Sequence, residues 1–262
     1  MNRRIRYYFA PALAIVTAVL LVGCSHVDRE QQRQAPLRVL TYNVHHCQGT
    51  DGKFDYGRIA GIINRLEPDI AALQEIDVGT NRASGVDQAA ILADLTGLNY
   101  RFGKAIDFDS GQYGLAILSR FEIRDISNTP LKTQPGSEPR IALAAHIKPD
   151  AGPREIIFVD THLCHRNEQV RTMQTTGLNE FADSEGDVPV ILAGDFNARP
   201  TSAPMKVLLE SNWLDAVAPQ SRIDYVLLRN GDPWKIVDVR VIDEPVASDH
   251  DPVLVTLQWA GQ

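Results

Sequence analysis

Six apolar runs of this chain end, or begin, in residues that can hold a cation or move a proton. LRVLTYN closes on Asn43, DIAALQE on Glu75, REIIFVDTH on His162 and VPVILAGDFN on Asp195 and Asn197. RIDYVLL carries Asp224 between apolar neighbours, and SDHDP brings Asp249 and His250 to the head of the last run. Ligand sites in sheet proteins lie where strand ends meet loops, so these ends point to one convergent polar site. Carboxylate and amide oxygens suit a hard cation such as Mg2+, with Mn2+ as the alternative. Two histidines offer proton transfer or cationic stabilisation beside a phosphate. Asp195 and Asn197 are two residues apart and face the same way on an extended chain. One is then placed to orient a water and the other to donate to an oxyanion. G-x-S-x-G, P-loop and G-x-G-x-x-G patterns are missing from the sequence, which argues against a serine hydrolase, a P-loop NTPase and a dinucleotide enzyme.

Each residue alone has an ordinary explanation. Glu75 could serve a surface ion pair, Asn197 a turn, Asp249 a local cap and His250 a satisfied core position. The elements around them carry the argument. Residues 37–43 and 69–75 read as strands, and 55–67 as a helix with Ile59, Ile62, Ile63 and Leu66 on one face, stopped by Pro68. A short helix is expected over 87–96, then strands over 100–105, 113–119, 122–127, 140–148 and 154–162. Helices over 167–183 and 203–210 flank a strand at 188–197, and strands near 223–228, 235–242 and 252–258 finish the chain. The expectation is a mixed α/β domain over 37–260 with two packed sheets covered by helices.

The 262 residues, 44% hydrophobic and 23% charged, exclude wholesale disorder. Three cysteines exclude a cysteine-rich module and a four-cysteine zinc site. Arg3, Arg4 and Arg6, an apolar stretch over 7–22 and then Leu21-Val22-Gly23-Cys24 follow the plan of a secretory signal peptide, 1–23. Its end resembles a bacterial lipobox, with Cys24 the lipidated residue and 24–36 a polar tether. The rival is an uncleaved signal anchor, for which the apolar stretch is short of the ~20 residues a span needs. Ser25 after the cysteine points to the outer membrane, facing the periplasm. A chain starting at Cys24 sets 23 Lys and Arg against 33 Asp and Glu, a net charge of −10. Nothing in it advertises a basic groove for nucleic acid.

TYNVHH, LQEID, YGLAILSR, DTHL, GDFNARP, RIDYVLL and SDHDPV stand in the order of the endonuclease/exonuclease/phosphatase superfamily, which the chain resembles over 37–258. The resemblance implies a four-layer α/β sandwich with two packed mixed β-sheets flanked by helices. It also implies cleavage of phosphoester bonds with a divalent metal, usually Mg2+. Residue by residue, it makes Glu75 the principal metal ligand, supported by Asn43 and Asp249. Asp195 orients and deprotonates the attacking water, and Asn197 holds the phosphate. His250, partnered by Asp224, stabilises the pentavalent centre, and His162 assists the leaving group or phosphate. Arg140 is a further phosphate contact. Leu115 stands where relatives carry an amide, and Asp107 and Asp109 are positional candidates for the acid beside His162.

The expected protein is therefore a monomeric, lipid-anchored, metal-dependent hydrolase of phosphoester bonds, phosphodiesters first. One alternative is a nuclease of the same fold acting on DNA or RNA, against which the acidic chain argues. Another is a non-catalytic binding lipoprotein, against which the intact polar set argues. Tyr113, Lys104 and Arg82 are candidates for shaping the pocket. His45, His46, Cys47, Cys164 and His165 form a second set. Their spacing carries no metal signature, so pocket lining is the default reading and a transition-metal site the alternative. Cys47 and Cys164 are read as separate reduced thiols, with a disulfide as the alternative.

Overall fold

The structure, a computed structural model, describes residues 35–150, 152–153, 155–220 and 222–261. The signal-peptide and Cys24 expectations, and nearly all of the tether, fall outside the described residues. The elements run β1 (Leu37–Asn43), α1 (Tyr56–Leu66), β2 (Ile70–Val78), α2 (Gln88–Thr96), β3 (Asn99–Phe108), β4 (Gly111–Ser119), β5 (Ile123–Pro130) and β6 (Ile141–Ile147). Then follow β7 (Ile156–His162), α3 (Glu168–Ser184), β8 (Val190–Asp195), α4 (Ala203–Ser211), β9 (Trp213–Asp215), β10 (Asp224–Arg229), β11 (Trp234–Val241) and β12 (Val253–Trp259).

Two-residue alternation in the strands builds the layers, because successive side chains of a strand point to opposite faces. In β1, Leu37 and Val39 enter a core between two sheets, while Leu40 and Tyr42 enter a second core beneath helices. In β7, β8 and β10, Phe158, Ala193 and Val226 join the inter-sheet core, while Val159, Leu192 and Leu227 join a third core on the far side. The helices close the outer faces. Asp55 caps α1 through the Arg58 N–H, and Ile59, Ile62, Ile63 and Leu66 bury its inner stripe. Asn167 caps α3 by accepting from the Gln169 and Val170 N–H groups. Each fully buried aliphatic or aromatic side chain contributes about 1.5–3 kcal/mol of transfer free energy.

The result is the expected four-layer sandwich of two six-stranded mixed sheets. Their orders are β11-β12-β1-β2-β4-β3 and β5-β6-β7-β8-β10-β9. All neighbouring strands are antiparallel except β1–β2 and β7–β8. The inter-sheet layer is not wholly apolar. Gln74 Nε2 donates to Asp160 Oδ1 at 2.6 Å across the two sheets, and burial pushes the Asp160 carboxyl well above its usual range.

Four strands differ from expectation. The run 69–75 continues to Val78 across a bulge. β3 and β4 are longer, because Asp109 and Ser110, both left-handed, close them as a two-residue hairpin. The three-residue edge strand β9 is too short for its alternation to show in the sequence. No helix among the described residues is long and apolar enough to cross a membrane.

Candidate active site

Strand direction brings the polar residues to one edge of the sandwich. The parallel pairs β1–β2 and β7–β8 end there, and β10 and β12, antiparallel to their neighbours, start there. Parity does the rest. Asn43 follows Leu37 and Val39 on the inter-sheet face, His162 follows Phe158, and Asp195 follows Ala193. Asp224, in register with Asp195, shares that face with Val226.

Glu75 breaks this rule. Ala71 and Leu73 face the helices, so unbroken alternation would send Glu75 after them and keep Ile76 between the sheets. Instead the register shifts between Gln74 and Ile76, Glu75 takes φ +63°, and Ile76 packs beneath the helices. The bulge re-aims the carboxylate into the site, a recognised use of bulges. Asn197 also departs from expectation. The strand stops at Asp195, and Asn197 is left-handed (φ +49°), so the two meet through a turn rather than along an extended chain. The Asn197 N–H donates to Asp195 Oδ1 at 2.8 Å. Left-handed residues other than glycine are costly, and they collect at functional sites. His45, His46 and Cys47 extend that group.

Asp195 is the hub. Its Oδ2 lies 3.1 Å from Asn43 Nδ2, 3.3 Å from His162 Nε2 and 3.7 Å from His250 Nε2. Asn43 Nδ2 also lies 3.1 Å from Glu75 Oε1, so one amide ties the two carboxylates together. Both oxygens of Asp224 lie 3.1 Å from His250 Nδ1. Burial and the nearby Asp224 raise the Asp195 pKa to about 7. Burial alone would lower His250, but the hydrogen bond and charge of Asp224 outweigh it and raise it to about 9. His162 is pulled well below the usual imidazole range by burial and by the Arg140 charge. Glu75 moves the other way from burial, held below the usual carboxylate range by His46 and the Asn43 amide among its neighbours.

The remaining expected residues fall as follows. Asp249 is exposed at the head of the last run. The segment is pinned by Ser248, which the sequence reading missed: its hydroxyl donates to the Asn43 carbonyl at 2.7 Å and accepts the His250 N–H at 3.2 Å. Arg140 is buried, with Nη2 3.1 Å from Glu138 and 3.4 Å from His165 Nδ1. A cleft of about 140 Å3 opens beside Glu75, lined by Arg82, Ile106, Phe108, Tyr113 and Glu138. Arg82 is fixed there by two bonds to buried Asp77, at 2.6 and 2.9 Å, with its guanidinium 4.6 Å from the Phe108 ring centre. Lys104 pairs instead with Asp107 at 3.0 Å. Asp107 and Asp109 do not partner His162. Asp109 accepts from the Arg82 N–H and Asn81, and His162 Nδ1 has no hydrogen-bond partner among the described residues. Leu115 packs in the inter-sheet core. Cys47 and Cys164 are buried free thiols.

The donor chemistry fits a divalent cation. One ligand atom from each of His45, His46 and Glu75 lies within 4.8 Å of the others, and the same holds for Asp195, Asp224 and His250. In the second group Asp224 and His250 already satisfy each other, so the first is the better cation site. A concavity of about 1010 Å3, bordered by Arg229, Asp232 and Trp259, lies at the opposite edge of the sandwich, away from these groups.

The model of the Endonuclease/Exonuclease/phosphatase family matches residues 40–250, and the chain belongs to that family. Its members are hydrolases of phosphoester bonds that use divalent metals. Escherichia coli (strain K12) "Uncharacterized protein YbhP" is 28% identical over 193 residues, covering 68% of this chain and 74% of its own. The fold matches an endonuclease/exonuclease/phosphatase from Beutenbergia cavernae DSM 12333 with a TM-score of 0.73 at 23% identity, over 87% of this chain and 72% of that one. It also matches the mannosyl-6-phosphatase Bt3783 of Bacteroides thetaiotaomicron VPI-5482 with a TM-score of 0.68 at 22% identity, over 84% and 99%.

Proposed function

We propose that this chain is a divalent-metal-dependent hydrolase of phosphoester bonds, phosphodiesters first, held at the bacterial envelope by a lipid on Cys24. The observation that carries the reading is the single carboxylate, Asp195, approached by Asn43, His162 and a His250–Asp224 pair. Asp195 orients a water and takes its proton as the oxygen attacks phosphorus. His250, cationic through Asp224, answers the charge that develops on the phosphoryl oxygens. His162, neutral, steadies Asp195 through Nε2–H. The left-handed turn at Asn197 sets its amide beside Asp195 and the Leu163 carbonyl, and it would leave them to donate to the phosphate. Glu75 would hold the cation with Asp249 and with Asn43, whose amide oxygen accepts the His45 N–H and would turn to the ion, and the bound cation would supply Lewis-acid stabilisation of the transition state.

The test is a panel of plasmid DNA, a phospholipid, a small phosphodiester and a sugar phosphomonoester, with Mg2+ or Mn2+ and after chelation. Turnover that chelation abolishes and metal restores is expected. Asp195→Asn should lower it about 10²–10⁴-fold with the fold intact. Activity that persists in chelator, or no turnover on any member, would overturn the proposal. Cleavage of plasmid DNA alone would select the nuclease.

A further inference from the structure

The turn after Asn43 places two histidines against Glu75, and their hydrogen bonds reveal which nitrogens are bare. Gln48 Nε2 donates to the Gly52 carbonyl at 2.9 Å, which turns Gln48 Oε1 toward His46 Nε2 at 3.2 Å. An amide oxygen only accepts, so Nε2 carries a hydrogen and Nδ1 is the nitrogen turned to Glu75, a donor when the ring is protonated and a ligand when it is not. That Nδ1 is buried without a hydrogen-bond partner, in a side chain 9% exposed, and lies 3.7 Å from Glu75 Oε2. His45 follows the same logic: its Nδ1 lies 2.9 Å from the Gln48 carbonyl and donates to it, so Nε2 is the nitrogen left to act as a ligand.

A buried imidazole nitrogen beside a carboxylate oxygen needs a positive centre between them, a proton on Nδ1 or a metal ion in its place, and 3.7 Å is too long for the hydrogen bond that a proton would make. The 3.7 Å gap is one that two ligands, each about 2.1 Å from one ion, can span. Metal-binding histidines characteristically donate their other N–H to a carbonyl or carboxylate, which fixes the tautomer. Both histidines have such an acceptor, supplied by one residue, Gln48. The turn is itself braced, because Gln88 Nε2 donates to the His46 carbonyl at 2.7 Å.

We infer that His46 and His45 join Glu75 as ligands, and that this site takes a transition-metal cation of the Zn2+ or Mn2+ class in preference to Mg2+. Imidazole nitrogen suits Zn2+, and Mn2+ accepts it beside carboxylate, whereas Mg2+ prefers an all-oxygen shell. Gln48 is a positioning residue for both rings. The inference rests on the proposed function only in taking Glu75 as a metal ligand.

The test uses the full chain without substrate and Mn2+ as the probe. Pulsed electron paramagnetic resonance of the bound Mn2+ should show nitrogen couplings from coordinated imidazole, and Mg2+ should compete only weakly. His46→Ala should reduce the coupling and weaken Mn2+ binding at least about 10–100-fold, and Gln48→Ala should weaken it within that range. His146→Ala, at a surface histidine paired with Glu155, should change neither. Bound Mn2+ without nitrogen coupling would overturn the inference, as would Mg2+ binding as tightly as Mn2+. The wild-type spectrum answers the question even if a variant misfolds. A nitrogen signal in a protein without phosphoester turnover would sink the proposed function and leave this inference standing.

Discussion

Asp195 and His250 are shifted in the same direction for different reasons, and the difference makes a prediction. In the proposed mechanism Asp195 acts as a carboxylate, and its base form appears as pH rises through about 7. His250 is useful as a cation, and its charge is lost as pH rises through about 9. The dependence of kcat/KM on pH should therefore climb through about 7 and fall through about 9, with both limbs belonging to the coupled pair. Asp224 raises both groups, so Asp224→Asn should move both limbs to lower pH while the fold persists. Limbs that stay in place in that variant would remove Asp224 from the proposed mechanism.

Among the elements, the junction of β7 and β8 decides whether His162 and Asp195 meet. Gly194, one residue before Asp195, adopts φ +148°, and a Cβ there would collide with the Thr161 carbonyl. The two strands can pair this closely only because no side chain intervenes. Gly194→Ala should push them apart where both functional side chains project. An overpacking cost of about 1–3 kcal/mol is expected. At about 2–4 °C of Tm per kcal/mol for a domain of this size, that is a visible drop in thermal unfolding. Turnover should fall further than the lost folded fraction explains, because His162 and Asp195 would no longer be 3.3 Å apart. Wild-type Tm and turnover would show that the approach is not needed.

At the scale of the whole molecule, the proposal sets the candidate site and the anchor at different ends of β1. β1 begins at Leu37, and Asn43 stands at its far end, so a tether ending before β1 emerges at the edge opposite the site. A lipid on Cys24 would then leave the catalytic edge clear of the membrane. The mature chain should begin at Cys24 and partition with membranes, and Cys24→Ser should release it while leaving turnover of a soluble substrate intact. Mass spectrometry finding an unmodified Cys24 in the mature chain would refute the anchor.

The sequence by itself determined most strands, the four α-helices of the described residues and the facing of four candidate site side chains. Alternation is local, so once Leu37 and Val39 face the inter-sheet core, Asn43 must face it too. The same parity fixes His162, Asp195 and Asp224. Pairwise placement followed from motif order for His250 and Asp224, now 3.1 Å apart. Only the tertiary structure decided the rest. Glu75 reaches the site because a bulge overrides its parity, and Asn197 because a left-handed turn replaces the extended chain. Ser248 acts through a backbone carbonyl 205 residues away in sequence, which no spacing encodes. His45 and His46 become a candidate metal centre only when Gln48 fixes their tautomers against Glu75. These features depend on backbone strain and on contacts between distant segments, and such contacts exist only once the two sheets have packed.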